Sequence, residues 1–252
     1  MADRAAIVTG AGSGIGAASA RLLGSRGMTV ALVGRRRETL EEVAAMIDAG
    51  PGSAVVVPDD LADATAPRRI VDAVLERAGR LDVIVNNAGH RRLSPVADVT
   101  ADELDTHFAV NLRAPYLLVQ AALPALEASP AAVVVNVSSA AAAMYRPRQT
   151  VYAMTKAGLE HLTKNMAAEL APHGIRVNCI RPGPVDTPIH STAVADPEAR
   201  LRELGRLVPL GRVGEPEEIA LWIGHLVDTE ARWVTGSVLV IDGGRVLGPP
   251  EA

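Results

Sequence analysis

Cysteine is almost missing from this sequence: Cys179 is the one thiol among 252 residues. A lone cysteine can form no disulfide within the chain and cannot build a cysteine-based zinc cluster, and no metal site is expected. It stands in the alternating run "GIRVNCI", which reads as a strand with a small core residue. Aromatic residues are only 2% of the chain, so a core has to come from the Ala, Val, Leu and Ile that dominate its 48% hydrophobic content. An excess of positive charge is missing too, with 25 Lys and Arg against 29 Asp and Glu, both signs spread along the chain. That balance argues against a protein built around the phosphate backbone of nucleic acid. No uninterrupted apolar run reaches the roughly 18 residues of a membrane span. The opening "MADRAAIVTG" lacks the apolar stretch and cleavage site of a signal peptide. A cytoplasmic protein with neither membrane nor nucleic-acid partners is expected.

What is present is alternation. Short β-branched runs recur as "AAIVTG", "TVALVG", "SAVVVP", "LDVIVNNAG", "AAVVVNVSS", "GIRVNCI" and "GSVLVIDGG". Each is apolar nearly throughout, the pattern of strands buried on both faces. Segments with helical spacing separate them. One carries Ile15, Ala18, Leu22 and Leu23 on one stripe, with Gly27 as its stop; another, over 152–170, carries Leu159, Leu162, Met166 and Leu170 and ends at Pro172 and Gly174. Strands alternating with helices imply an α/β fold, a doubly wound parallel sheet with helices on both faces. No linker divides the chain, so residues 1–252 are expected to form a single domain. The Pro- and Gly-rich zone around 184–210 reads as a lid over a substrate site.

The first run leads into "TGAGSGIG", with Gly10, Gly14 and Gly16 just before a helix. Such a turn lets backbone N–H groups approach a pyrophosphate at the positive end of the helix, the dinucleotide-binding arrangement. The second run ends at Gly34, followed by Arg35, Arg36 and Arg37. A carboxylate there would hold a ribose 2′-hydroxyl, whereas arginine holds a 2′-phosphate. NADP(H) is therefore favoured over NAD(H), a preference that Ser13, which adds no second charge inside the turn, leaves incomplete. Asp60 in "PDDLAD" is a candidate for the adenine amino group or, equally, for a helix cap.

In "VYAMTK", Tyr152 and Lys156 stand at i and i+4, on one helix face. A free tyrosine has a pKa near 10 and exchanges protons poorly at neutral pH. A neighbouring ammonium lowers that value, so the pair reads as a proton donor and its tuner, with Ser139 at a strand end to fix the accepting oxygen.

"TGAGSGIG", "NNAG" at 86–89, Asn111 in "VNLRAP", "NVSS" ending at Ser139, "YAMTK", "RPGPVDT" at 181–187 and "VIDGG" at 240–244 follow one another along the chain. In that order they resemble the short-chain dehydrogenase/reductase family over residues 5–244. The resemblance implies a seven-stranded sheet in the order 3-2-1-4-5-6-7 and a catalytic tetrad of Asn111, Ser139, Tyr152 and Lys156. It implies that Lys156 also holds the nicotinamide ribose and that Asn111 steadies a helix bend and a relaying water. It implies cofactor contacts at Ser13, Ile15, Leu61, Asn87, Ala88, Gly89, Pro182, Gly183, Val185 and Thr187, alongside Arg35, Arg36 and Asp60. Asn86 and Asn87 are expected chiefly to stitch adjacent loops.

The implied activity is hydride transfer between nicotinamide and a ketone or secondary alcohol, with NADP(H)-dependent ketone reduction favoured. An NAD(H)-dependent alcohol dehydrogenase of the same family and a non-catalytic dinucleotide sensor are the alternatives. Three loops are expected to line the substrate cleft, carrying His90, Arg91 and Arg92; Tyr145, Arg146, Arg148 and Gln149; and Ile189 and His190. Their arginines would suit an acidic or carrier-linked substrate or, as readily, be solvated loop charges. The resemblance also implies a homo-oligomer, a tetramer or a dimer, with the C-terminal segment near the interface.

Overall fold

A computed structural model describes residues 3–191 and 196–248, with no side-chain description for residues 190 and 191. Part of the expected lid, the side chain of His190 and the last four residues therefore lie outside the described residues.

The elements in chain order are β1 (Ala5–Thr9), α1 (Gly14–Ser25), β2 (Thr29–Gly34), α2 (Arg37–Asp48), β3 (Ser53–Pro58), α3 (Ala66–Ala78), β4 (Val83–Asn86), α4 (Ala101–Phe108), a π-helical turn (Ala109–Arg113), α5 (Ala114–Glu127), β5 (Val133–Val137), α6 (Thr150–Leu170), β6 (Arg176–Pro182), α7 (Pro188–Ser191), α8 (Pro197–Gly205), α9 (Pro216–Val227) and β7 (Val238–Ile241). The seven strands form one sheet in the order β3-β2-β1-β4-β5-β6-β7, as the family resemblance implied. Every pairing is parallel, with Ile7 opposite Ala31 on one side and Ile84 on the other.

Alternation along β1 sends Ala5 and Ile7 to one face and Ala6 and Val8 to the other. On the first face the strands meet Ile70 and Val74 of α3, Leu118 and Leu126 of α5, and Met166 and Leu170 of α6. On the second they meet Leu23 of α1, Leu40 and Ile47 of α2, and Ile219 and Ile223 of α9. Burial on both faces holds for the inner strands but not for the edges: β3 is mostly half-buried, and Val240 in β7 is 41% exposed. An edge strand has one neighbour instead of two, and its helices do not reach round it.

A parallel sheet gathers all strand carboxyl ends at one edge, where ligands bind, and leaves the opposite edge to stability. At that opposite edge sits Asp82, its side chain fully buried. Its carboxylate accepts from Ala5 N at 2.8 Å, from Arg80 at 2.8 and 2.7 Å, and from the Ser129 hydroxyl, joining β1, β4 and the α5–β5 loop. Burial pushes its pKa up, and the bonds from Arg80, Ser129 and Ala5 outweigh this and hold it below the usual carboxylate value. A depressed folded pKa means stabilisation present above about pH 4 and lost as pH falls through the folded value. Asp82→Ala is expected to cost about 3–5 kcal/mol at neutral pH, because Arg80 and Ala5 N lose a buried partner. Urea unfolding should show that gap, and show it narrowing below about pH 4.

Candidate active site

Gly10 and Gly14, at φ of +67° and +52°, turn the chain from β1 into α1 in a region that side chains resist. Gly16 is present for a different reason: a Cβ there would lie 2.2 Å from Gly10 O, so the glycine lets helix and strand touch. The N-cap Ser13 makes no side-chain capping bond, and the first turn of α1 holds no acidic residue. Its leading N–H groups therefore face an open cavity of about 900 Å³, which Gly10, Ser13, Gly14 and Ile15 help to line. An uncapped helix start beside two positive-φ glycines fits a dinucleotide pyrophosphate.

Arg35 lines the same cavity; Arg36, Asp60 and Leu61 do not. Arg36 is exposed at the N-cap of α2. The Asp60 carboxylate turns back to accept from Ala62 N at 3.0 Å, closing a tight turn instead of capping a helix. The Leu61 side chain is 8% exposed and belongs to the core. Local turn geometry occupies one Asp60 oxygen, and core packing holds the Leu61 side chain, so neither stands at the cavity wall.

After β4, Asn86 donates to Asn136 Oδ1 at 2.8 Å, and Asn87 donates to Thr9 O at 2.9 Å, so both stitch neighbouring segments. Asn87, Ala88 and Gly89 line the cavity, and a Cβ on Gly89 would lie 3.5 Å from Lys156 Nζ. Asn111 sits fully buried in the π-helical turn between α4 and α5. Its Oδ1 accepts from His90 N at 2.8 Å, and its Nδ2 donates to His90 O at 3.0 Å and to Thr155 Oγ1 at 2.9 Å. Both amide hydrogens are thereby committed to the protein, and Asn111 ties the loop after β4 to α6.

The two serines ending β5 face different ways. Ser138 Oγ lies 2.8 Å from Glu160 Oε1 and 3.2 Å from Lys156 O. Ser139 accepts from Ala141 N at 3.2 Å, and its side chain is near enough to Tyr152 to act on the phenol. Burial pushes the Tyr152 phenol above its ordinary value; the Ser139 hydroxyl and the Arg91 cation pull it down. Lys156 Nζ sits 5.9 Å from the Tyr152 ring centroid and donates to Val137 O at 2.8 Å. Burial brings the amine to about 8. Arg91 thus adds a second cation beside the phenol, which the i, i+4 spacing of Tyr152 and Lys156 gave no sign of.

Of the expected substrate residues, His90 and Ile189 line the cavity, together with Arg91, Arg92, Val185 and Thr187, and with Pro182 and Gly183 from the end of β6. Burial, His107 and nearby Arg35 and Arg92 keep His90 below its ordinary pKa despite Glu103. Tyr145, Arg148 and Gln149 do not line it. Tyr145 is 85% exposed. Gln149 is the N-cap of α6. Arg148 turns outward at φ +61°, its carbonyl accepting from Ser94 N. Sequence reasoning missed Thr155, Glu160, Arg181 and Arg200. A signal for Glu160 existed, since it continues the 152, 156 stripe by another four residues onto the buried face. Cys179 is fully buried in β6, and burial pushes its thiol up to about 12, leaving it inert as expected.

A family model described as "Enoyl-(Acyl carrier protein) reductase" matches residues 10–245. A short chain dehydrogenase from Burkholderia cenocepacia J2315, solved with NADP, is 34% identical, with 97% of this chain and 98% of that one covered and a TM-score of 0.89. The chain belongs to the short-chain dehydrogenase/reductase family. Family membership brings oxidoreductase activity and a nicotinamide dinucleotide cofactor. L-xylulose reductase of Mus musculus is 40% identical over 246 residues, covering 97% of each chain. A 3-ketoacyl-(acyl-carrier-protein) reductase from Brucella melitensis, complexed with NADH, is 31% identical at a TM-score of 0.90, with 97% of this chain and 99% of that chain covered. Among the described residues no helix is long and apolar enough to cross a membrane, and none group to hold a metal ion.

The buried amine gives a test of the site without turnover. A lysine with a lowered folded pKa penalises the fold fully below about pH 8, and the penalty fades as pH approaches the unfolded value near 10.4. Wild-type protein should therefore gain stability relative to Lys156→Met between pH 8 and 10, on the order of 1–3 kcal/mol. Urea unfolding of both at several pH values measures it; parallel curves would contradict the burial of a titrating amine.

Proposed function

We propose that this protein is a cytoplasmic, single-domain NADP(H)-dependent ketoreductase that transfers hydride between nicotinamide and a ketone or secondary alcohol. The observation carrying this reading is that the Ser139–Tyr152 pair and Lys156 share one cavity with the uncapped start of α1. When bound, the nicotinamide supplies or accepts the hydride. Tyr152 holds its proton at neutral pH and lines the same cavity as Ser139, so the two hydroxyls can share one carbonyl oxygen. Ser139 orients that oxygen, and Tyr152 gives it a proton as negative charge develops. Lys156, with a pKa of about 8, can return a proton toward the phenol near neutral pH and hold ribose hydroxyls. Asn111 positions the His90 segment opposite. A dinucleotide sensor without chemistry would have no need of this trio.

Arg35 supports NADP(H), since no carboxylate pairs with it among the described residues and a charge-assisted bond to a 2′-phosphate contributes about 1.5–3 kcal/mol, a tenfold to hundredfold preference. The NADH complex of the Brucella reductase keeps an NAD(H)-dependent enzyme as the second reading. The reductase names among its relatives and the reduced state of cellular NADPH both favour the reductive direction. A homo-oligomer, dimer or tetramer, agrees with the half-buried edge strand β7 and with exposed Leu221 and Trp222 on α9.

Absorbance at 340 nm with NADPH and a ketone panel tests the reading. Tyr152→Phe should lower kcat about 10²–10⁴-fold while NADPH still binds, and retained turnover would remove the mechanism. Arg35→Asp should cut the NADPH-over-NADH ratio in kcat/KM by about tenfold or more. An unmoved ratio would favour the NAD(H) reading.

A further inference from the structure

The cavity lining among the described residues contains Arg35, Arg91, Arg92, Arg200 and Lys156 and no carboxylate. Some of that charge is accounted for. Arg35 faces the cofactor end, Arg92 lies 3.7 Å from Glu103, and Lys156 donates to Val137 O. The charge at the other end is not. Arg91 donates only to the Ile189 carbonyl, and Arg200 pairs through a single nitrogen with Glu203 at 2.6 Å on the exposed side of α8.

Arg146, from the loop before α6, lies within electrostatic reach of Arg91 and Arg200, and also of Arg245, from the turn after β7. Arg146 is half-buried and has no hydrogen bond or ion pair among the described residues. Burial lowers its pKa, and the neighbouring cations Arg245, Arg200 and Arg91 lower it further, with no acidic group opposing them. Arg245 is 9% exposed and its Nε has no partner. Arg91 and Arg200 thus share the cavity wall, and Arg146 feels both of them and Arg245, with little counter-charge among the described residues. Leaving buried cations unpaired is costly, and a bidentate oxyanion is the group their planar forks match.

We propose that the carbonyl substrate carries an anionic oxyacid group, a carboxylate or a phosphate, which Arg91 and Arg200 receive at the cavity wall with Arg146 within electrostatic reach of both. This rests on the ketoreductase reading for the reaction but not for the anion site. Arg91 is close enough to Tyr152 for each to shift the other's titration, so the anion lies near the reacting carbonyl. Arg148, which the sequence offered for this role, is turned to solvent.

The test compares matched acid and neutral ketones with saturating NADPH: acetoacetate against ethyl acetoacetate, and dihydroxyacetone phosphate against dihydroxyacetone. Wild-type kcat/KM should favour the charged member of one pair by at least about tenfold, and the favoured pair identifies carboxylate or phosphate. In Arg91→Gln and in Arg146→Gln that ratio should fall about tenfold. Equal or inverted preference in the wild type, or a ratio neither variant moves, overturns the proposal. A second arm needs no turnover. With NADP+ saturating and ionic strength held by chloride, malonate or inorganic phosphate should raise Tm by about 2–4 °C in wild type and by less in Arg146→Gln. If cofactor binds but no ketone is reduced, the ketoreductase reading fails, and this shift alone decides the anion site: present, it upholds the site; absent, it removes it.

Discussion

The site depends on one buried clamp between α6 and the sheet. Glu160 on α6 accepts two charge-assisted hydrogen bonds from Arg181 on β6, at 2.8 and 2.5 Å, while Ser138 at the end of β5 reaches both Glu160 and the Lys156 carbonyl. A helix packed on a sheet through Leu159, Met166 and Leu170 alone could slide by a fraction of an ångström at little cost, since apolar contact is not directional. Ion pair and hydroxyl fix its rotation and height. With α6 so held, Tyr152 meets Ser139 and Lys156 reaches Val137 O. Removing either partner would strand a buried charge, so position and stability are enforced by the same bonds.

The two edges of the sheet divide the labour. At the amino edge Asp82 takes bonds from three segments, and Arg4 spends two of its nitrogens on carbonyls while its Nε alone lacks a partner among the described residues. At the carboxyl edge polar groups are left facing a cavity: the start of α1, the Arg35 guanidinium, the Tyr152 hydroxyl. Polar groups lacking internal partners lower the stability of the ligand-free fold and are tolerated where a ligand restores what is missing. Asn86, Asn136 and Thr163 form the transition, a buried polar ladder across β4, β5 and α6 that ends on the Leu159 carbonyl.

Legibility in the sequence followed the range of the interaction. Strand runs, the glycine turn and the i, i+4 pair are local patterns, and each of them lies where the spacing put it. Long-range partners had no such pattern: nothing near Glu160 names Arg181, and nothing near Arg146 names Arg245. For Asp60 and Leu61 a turn and the core compete locally for the side chains, a competition the sequence does not display. Arg148 and Arg146 stand two positions apart on one loop with the same chemistry, yet Arg146 is half-buried and Arg148, at φ +61°, is exposed, a difference no local pattern announces. The edge strands look like buried ones because their sequences are as apolar as their neighbours', while burial depends on what packs outside them.

Charge connects the anion site to the direction of reaction. The phenol of Tyr152 is raised by burial and lowered by Arg91, and a proton donor for ketone reduction must still hold its proton when the substrate arrives. An anion seated on Arg91 screens a cation that draws the phenol toward phenolate, so the substrate would add to the burial that keeps Tyr152 protonated until hydride arrives. Once the carbonyl oxygen takes that proton, Lys156, titrating near 8 and carrying no carboxylate partner, is positioned to resupply it. Neutral ketones lack this coupling and would meet a donor whose proton is held less firmly.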